Sequence, residues 1–414
     1  MTTQTTAPSV FDADLPTLSY DVTDTPSDVY PHIIAAQQRA SIAIGPLGPE
    51  ILSYDLARTV LRDNRFVIPP GIHLAAQGVT SGPLWDRVVS SIMNAEGTEH
   101  HRLRSLVSKA FTPRATARLH DTIDIVVNEL ADSVADAGCC DVVVDIARPY
   151  PIPIICALLG APREDWQQFS LWADDVFKMV AFDVNLIDEV PVIMKAWGEL
   201  DAYVDEMVAE RRLCLTDDLL SDLIRAEDDG DRLSPDELRT TVASLLMAGT
   251  DTTRNQLSAS MQVLFDHPEQ WEMLRHRPEL AVPAVEESMR HSPAVCSTLR
   301  TVKEDVDLGG YTFPAGTFVL VNSFAANRDP ALYEDPDRFD ITRDAPPAIL
   351  TFGGGVHYCL GANLAKLELA EALKILAHRL INPRRAGPAP WKPMLGMSGP
   401  TSLPIEFDAR THRT

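Results

Sequence analysis

Apolar positions are unevenly spaced along the chain, and the spacing changes several times. Residues 41–44 and 50–54 read as two short strands on either side of a Gly-Pro turn. From about Asp55 to residue 290 the apolar residues mostly recur at helical spacing. Within that stretch Ser234-Pro235-Asp236-Glu237 carries the marks of a helix start: Ser as cap, Pro in the first turn, Glu closing a capping box. The pattern then continues to Phe265, just before His267-Pro268. A helix of about 30 residues is roughly 45 Å long, far above the average of about 11–12 residues, and would cross a whole domain. Between Leu299 and Val321 the period becomes strand-like, with turns at Gly309-Gly310 and Pro314-Ala315-Gly316. Residues 325–355 are irregular, punctuated by Pro330, Pro336 and Gly353-Gly354-Gly355; long irregular stretches inside compact domains are usually functional. A last helix is expected over residues 361–380. The pattern predicts a mainly α protein with small β-sheets. Residues 31–414 form one domain, β-rich near 41–54 and 296–322, and the Thr/Pro/Asp-rich residues 1–30 are expected to be loosely held.

Composition narrows the setting. At 45% hydrophobic and 23% charged, the 414 residues are ordinary for a globular chain. The net charge of −23 repels phosphates and anionic lipid, so generic binding to nucleic acid is excluded. No run approaches the ~18 consecutive apolar residues of a membrane span, and the N-terminus lacks the basic start and apolar core of a secretory signal. The six cysteines form no C-x-x-C pair. A cytoplasmic protein without a membrane anchor is expected.

Candidate chemistry concentrates at the end of the irregular segment, Phe352-Gly353-Gly354-Gly355-Val356-His357-Tyr358-Cys359-Leu360-Gly361. Cys359 sits just before a helix N-terminus, where the dipole and free N–H groups favour a thiolate. Glycines on both sides let the backbone approach a flat partner, as a haem iron with an axial thiolate requires. Taken alone, Cys359 reads equally well as a buried inert thiol. A zinc site would need a second Cys/His pair, and a phosphate loop a Gly-Lys-Ser/Thr, and neither is present. In the long helix lies Ala248-Gly249-Thr250-Asp251-Thr252-Thr253, a poor composition for mid-helix stability. A Thr hydroxyl released from its intrahelical bond, beside a carboxylate, can pass protons to a ligand on that face. A packing kink is the other reading.

FGGGVHYCLGANLAKLE resembles, at every fixed position, the haem-binding signature FGxGxHxCxGxxLAxxE of the cytochrome P450 family. The 248–253 segment is similar to that family's acid–alcohol motif. The resemblance implies the P450 fold, with haem b between the long central helix and the cysteine loop, Cys359 as axial ligand, and Phe352, Gly353, Ala248 and Gly249 against the cofactor. It implies that Thr252 steadies bound dioxygen and that Asp251 joins the proton relay. His100 and Arg104, four apart on one helix face, resemble the family's His-x-x-x-Arg and would meet the haem propionates together with Arg300 and His357; alone, the first two read as a solvated basic face, with His101 a surface neighbour. Glu287 and Arg290 match Glu-x-x-Arg, implying a buried scaffold pair with Arg338 as third member, where residue spacing alone gives only a surface i,i+3 pair.

The implied activity is monooxygenation, hydroxylating or epoxidising a lipophilic small molecule with dioxygen and two electrons. Alternatives on the same fold are a peroxide-driven peroxygenase, which would not need Asp251 and Thr252, and a non-catalytic haem sensor or carrier. Residues 99–118 carry a net +4 on an acidic chain, which suits a small acidic electron donor such as a ferredoxin or flavodoxin with its NAD(P)H reductase. Apolar runs over 66–93 and 172–197 read as pocket walls or plain core, and Ile92, Val180, Val295, Leu299 and Met397 are the pocket candidates. The family pattern is departed from before His100, at Asn94-Ala95-Glu96-Gly97-Thr98-Glu99, and at Met397-Ser398-Gly399-Pro400.

Overall fold

The computed structural model describes residues 7–228, 233–344 and 347–409. The long helix spans Pro235–Asp266, and its start is built as the sequence predicts: the Ser234 hydroxyl accepts the Glu237 N–H, and the Glu237 carboxylate accepts the Ser234 N–H at 2.7 Å. Its neighbours Pro151–Leu159, Leu186–Leu213 and Ala362–Arg379 pack around it, so it is buried along most of its length. These helices, with His120–Ala135 and Ala281–His291, share one apolar core.

The main sheet has five strands in the order Ile42–Gly45, Gly48–Ile51, Phe318–Asn322, Ser297–Val302 and Phe66–Val67. The first hairpin turns through Pro46-Leu47, with Gly45 opposite Gly48. Residues 52–53, read as strand, lie outside it, and Tyr54 opens a helix that runs to Val60. Phe66–Val67 and Cys139–Asp141 fall within the stretch read as helical; strands this short carry no period-2 signal.

Two further expectations change. Residues 7–30 are not loosely held: Val10, Leu18 and Val29 are buried, and Ser9 and Thr17 bridge to Thr312 and Ile44. Their apolar side chains close two smaller cores over the sheet, which composition alone does not reveal. Residues 1–6 lie outside the described residues. Also, Val142–Leu159 forms a helical stretch of 18 residues, mean hydropathy 1.7, long and apolar enough to cross a membrane. Two-thirds of it is buried inside the protein, as a core helix would be, and Asp145 and Arg148 interrupt its apolar run.

Candidate active site

The cysteine loop is positioned by a relay of polar contacts that begins at Glu287 and Arg290. These two are 4% and 1% exposed, and the guanidinium grips the carboxylate through both oxygens at 2.7 and 2.9 Å. Arg290 also donates to the carbonyls of Asn327, Pro336 and Arg338. The third member of the cluster is not the Arg338 side chain, which turns out to Asp340. It is Arg343, whose Nε reaches both Glu287 oxygens at 3.4 Å. Two arginines five residues apart in an irregular segment cannot be told apart by spacing. Asn327 then accepts the Leu350 N–H and donates to the Thr351 hydroxyl, which fixes the chain just before Phe352.

Within the loop the Cys359 N–H donates to Phe352 O at 2.9 Å. Gly355 has φ +65°, and a Cβ there would run into the carbonyl of Leu61. The loop thus leans on the turn after the Tyr54–Val60 helix, some three hundred residues earlier. Cys359 keeps accessible surface, yet desolvation by the loop around it raises the thiol, while the Gly361 N–H and the Arg104 guanidinium favour the thiolate. The Arg104 side chain itself donates to Tyr358 O at 2.5 Å.

The structure gathers the four cationic side chains expected from distant segments. The rings of His100 and His357 lie 4.3 Å apart. Arg300 is 3% exposed and donates to Thr298 Oγ1 and Leu299 O, and burial lowers it to about 10. Burial and the neighbouring cations also lower both histidines. One acid stands among them: Glu96 Oε1 lies 3.0 Å from His357 Nε2.

On the long helix Ser244, Ala248, Gly249 and Thr252 keep accessible surface while Leu245, Leu246, Met247, Thr250, Asp251 and Thr253 are buried. The spacing 244, 248, 252 is one helix face, a strip of small side chains in an otherwise covered helix. Gly249 also serves packing: a Cβ there would meet the Ile155 side chain at 3.1 Å, so its lack of a side chain admits the Pro151–Leu159 helix. The Thr252 hydroxyl keeps its intrahelical bond, donating to Ala248 O at 3.2 Å, where a released hydroxyl was expected. Asp251 is ion-paired with Arg254, which also holds Asp174 Oδ1 at 2.7 Å. The Arg254 partnership was visible in principle as an i,i+3 pair, and the Asp174 contact was not.

A cavity of about 200 Å³ adjoins Asp251. Val180 and Met397 line it beside Phe177, Phe182 and Leu395, as do the charged Asp174, Asp183, Arg254 and Lys392. Leu299 belongs to the neighbouring apolar cluster with Phe182 and Leu395. Ile92 packs on the main core, and Val295 offers its carbonyl to the Ser323 hydroxyl. Apolar side chains make up most of this lining, with the charged groups set among them.

Comparison with known proteins agrees with this geometry. The cytochrome P450 family model matches residues 86–380. The luteothin monooxygenase of Streptomyces thioluteus is 37% identical over 411 residues, 99% of each chain. The mycinamicin IV hydroxylase/epoxidase of Micromonospora griseorubida is 37% identical over 369 residues, 87% of this chain and 90% of that one. The crystal structure of CalO2 superposes with a TM-score of 0.88 at 33% identity, covering 95% of this chain and 99% of that one. The chain belongs to the cytochrome P450 family. It is a monooxygenase, and its cofactor is haem b. The residues present fit that group: a free sulfur, a strip of small residues on the long helix, and a cluster of cations short of anions.

Proposed function

We propose that this enzyme hydroxylates or epoxidises a lipophilic small molecule in the cytoplasm, taking two electrons from a ferredoxin-type donor and its NAD(P)H reductase. In this reading Cys359 ligates the iron, and His100, Arg104, Arg300 and His357 hold the propionates. When bound, the haem supplies the redox chemistry that activates dioxygen. Asp251 and Thr252 handle protons on the other side: Asp251, buried and anchored by Arg254, delivers them, and Thr252 orients the acceptor.

The observation that carries the reading is the pairing of an accessible Cys359 with the 244–248–252 strip flanked by a buried Asp251. Peroxide use needs neither Asp251 nor Thr252. The names of the two relatives, a luteothin monooxygenase and a mycinamicin IV hydroxylase/epoxidase, support a natural product as substrate. The apolar residues of the cavity fit such a scaffold, and Lys392 and the acids fit its polar groups.

The test is twofold. Lipophilic natural products are screened for a spin-state shift of the Soret band, and hits are incubated with donor, reductase and NAD(P)H or with peroxide alone. Product in the first arm and little in the second is expected; the reverse overturns the assignment.

A further inference from the structure

Among the described residues, Glu96 is the one carboxylate hydrogen-bonded within the cluster described above, and the family resemblance gave it no role. It is the N-cap of the Gly97–Val107 helix, yet its side chain does not cap that helix. Oε1 instead accepts the Ile68 N–H at 2.8 Å and stands 3.0 Å from His357 Nε2. The side chain is thus held from one side by backbone of the Phe66–Val67 strand end and from the other by an imidazole that is only 11% exposed. Gly97, at φ +60°, gives the turn that aims Glu96 inward and starts the helix bearing His100 and Arg104. The field of this carboxylate also reaches His100 and Arg300, raising the proton affinity of each.

Arg104 and Arg300 are brought close to two imidazoles here, and the like charge of the arginines with the burial of Arg300 makes a nearby negative charge favourable. Arg300 satisfies its donors on Thr298 and Leu299, and Arg104 on Tyr358. Among the described contacts, only His357 of the four has a carboxylate partner.

We propose that Glu96 is the chain's own counter-ion for the propionate-binding cluster: it holds His357 in place and sets how much positive charge the cluster presents to the haem. It is a positioning residue, and the proposal rests on the reading that this cluster faces the propionates. Removing its charge takes a fixed negative charge away from beside the haem site, which favours the ferrous over the ferric iron.

The experiment is a redox titration of the ferric/ferrous couple in purified holoenzyme, for wild type, Glu96→Gln and Glu96→Asp. Glu96→Gln keeps the length and the acceptor for Ile68 but loses the charge. Its midpoint should move positive by the equivalent of a threefold to tenfold gain in ferrous form, ~30–60 mV for a one-electron couple. Glu96→Asp keeps the charge but withdraws it by one methylene, and should fall between the two. A wild-type midpoint in Glu96→Gln, or an Asp variant shifted as far as the Gln variant, overturns the proposal. If Glu96→Gln retains no haem, the comparison of wild type with Glu96→Asp decides it, and identical midpoints there count against it. Arg300→Gln separates the underlying reading: faster transfer of haem to an apoglobin is expected. If haem transfer from that variant is as slow as from wild type, the cluster does not hold the propionates, and the reading fails whatever Glu96 does.

Discussion

Asp251 shows how much a single side chain's role depends on what grips it. Its carboxylate is buried and tied to Arg254, and Arg254 is tied in turn to Asp174 on the Trp166–Val176 helix. Asp251→Asn should lower product formation by ~10²-fold or more, the usual range for a proton-transfer group, while the substrate-induced spin shift survives. An Asn variant with wild-type turnover would show that protons come by another route. Glu287 poses a different question, since its partners are structural. Glu287→Gln leaves Arg290 buried with an uncompensated charge, which costs about 3–5 kcal/mol. Denaturant unfolding should register that loss, with the cofactor released early in the transition. The motif residues Cys359, Glu287 and Arg290 were legible in the sequence because each lies in a fixed local spacing. Arg343, Lys392 and Glu96 were not, and nor was the Arg254–Asp174 contact, because their importance comes from what lies next to them in space and not along the chain.

Among elements, the long helix and the last helix were predicted nearly to the residue. Both carry a sustained helical period, and the first has a full capping box besides. The strands were placed less well, since Phe66–Val67 and Arg384–Arg385 contain only two residues each and owe their pairing to neighbours. The Gly48–Ile51 strand hides a chemical surprise. Glu50 is fully buried, accepts from Tyr20 at 2.6 Å and Asn322 at 3.1 Å, and burial raises its carboxyl to about 7. Because the folded protein holds this proton more tightly than the unfolded chain, the contribution is fully present below the ordinary value of 4.5. It is lost as pH climbs through about 7, and the loss amounts to about 3 kcal/mol. Glu50→Gln should therefore flatten the fall in unfolding free energy between roughly pH 5 and 8. A variant whose profile still follows wild type would place the titrating group elsewhere.

On the scale of the whole molecule, charge is the dominant feature. The island over residues 99–118 is less basic than its composition indicated: Arg102 is engaged by Glu99 and Glu237, and Arg118 pairs with Asp217. Lys109 and Arg114 are exposed, and Arg62 is exposed directly beside Gly355 of the cysteine loop. Lys109→Glu with Arg114→Glu should slow reduction by an acidic donor at least tenfold at low ionic strength and much less at high salt. Stopped-flow reduction rates across a salt series test this, and equal rates at low salt would move the docking face elsewhere.

The contact between Gly355 and Leu61 bears on how the enzyme is made. The sulfur-bearing loop leaves the ribosome some three hundred residues after the segment that braces it. In the proposed reading the propionate-binding side chains lie at positions 100, 104, 300 and 357, so no partial chain short of His357 owns all four. Synthesis at 5–20 residues per second leaves the early segments waiting tens of seconds for the rest. A pigment gripped by all four side chains is therefore gripped only once the cysteine loop has been made.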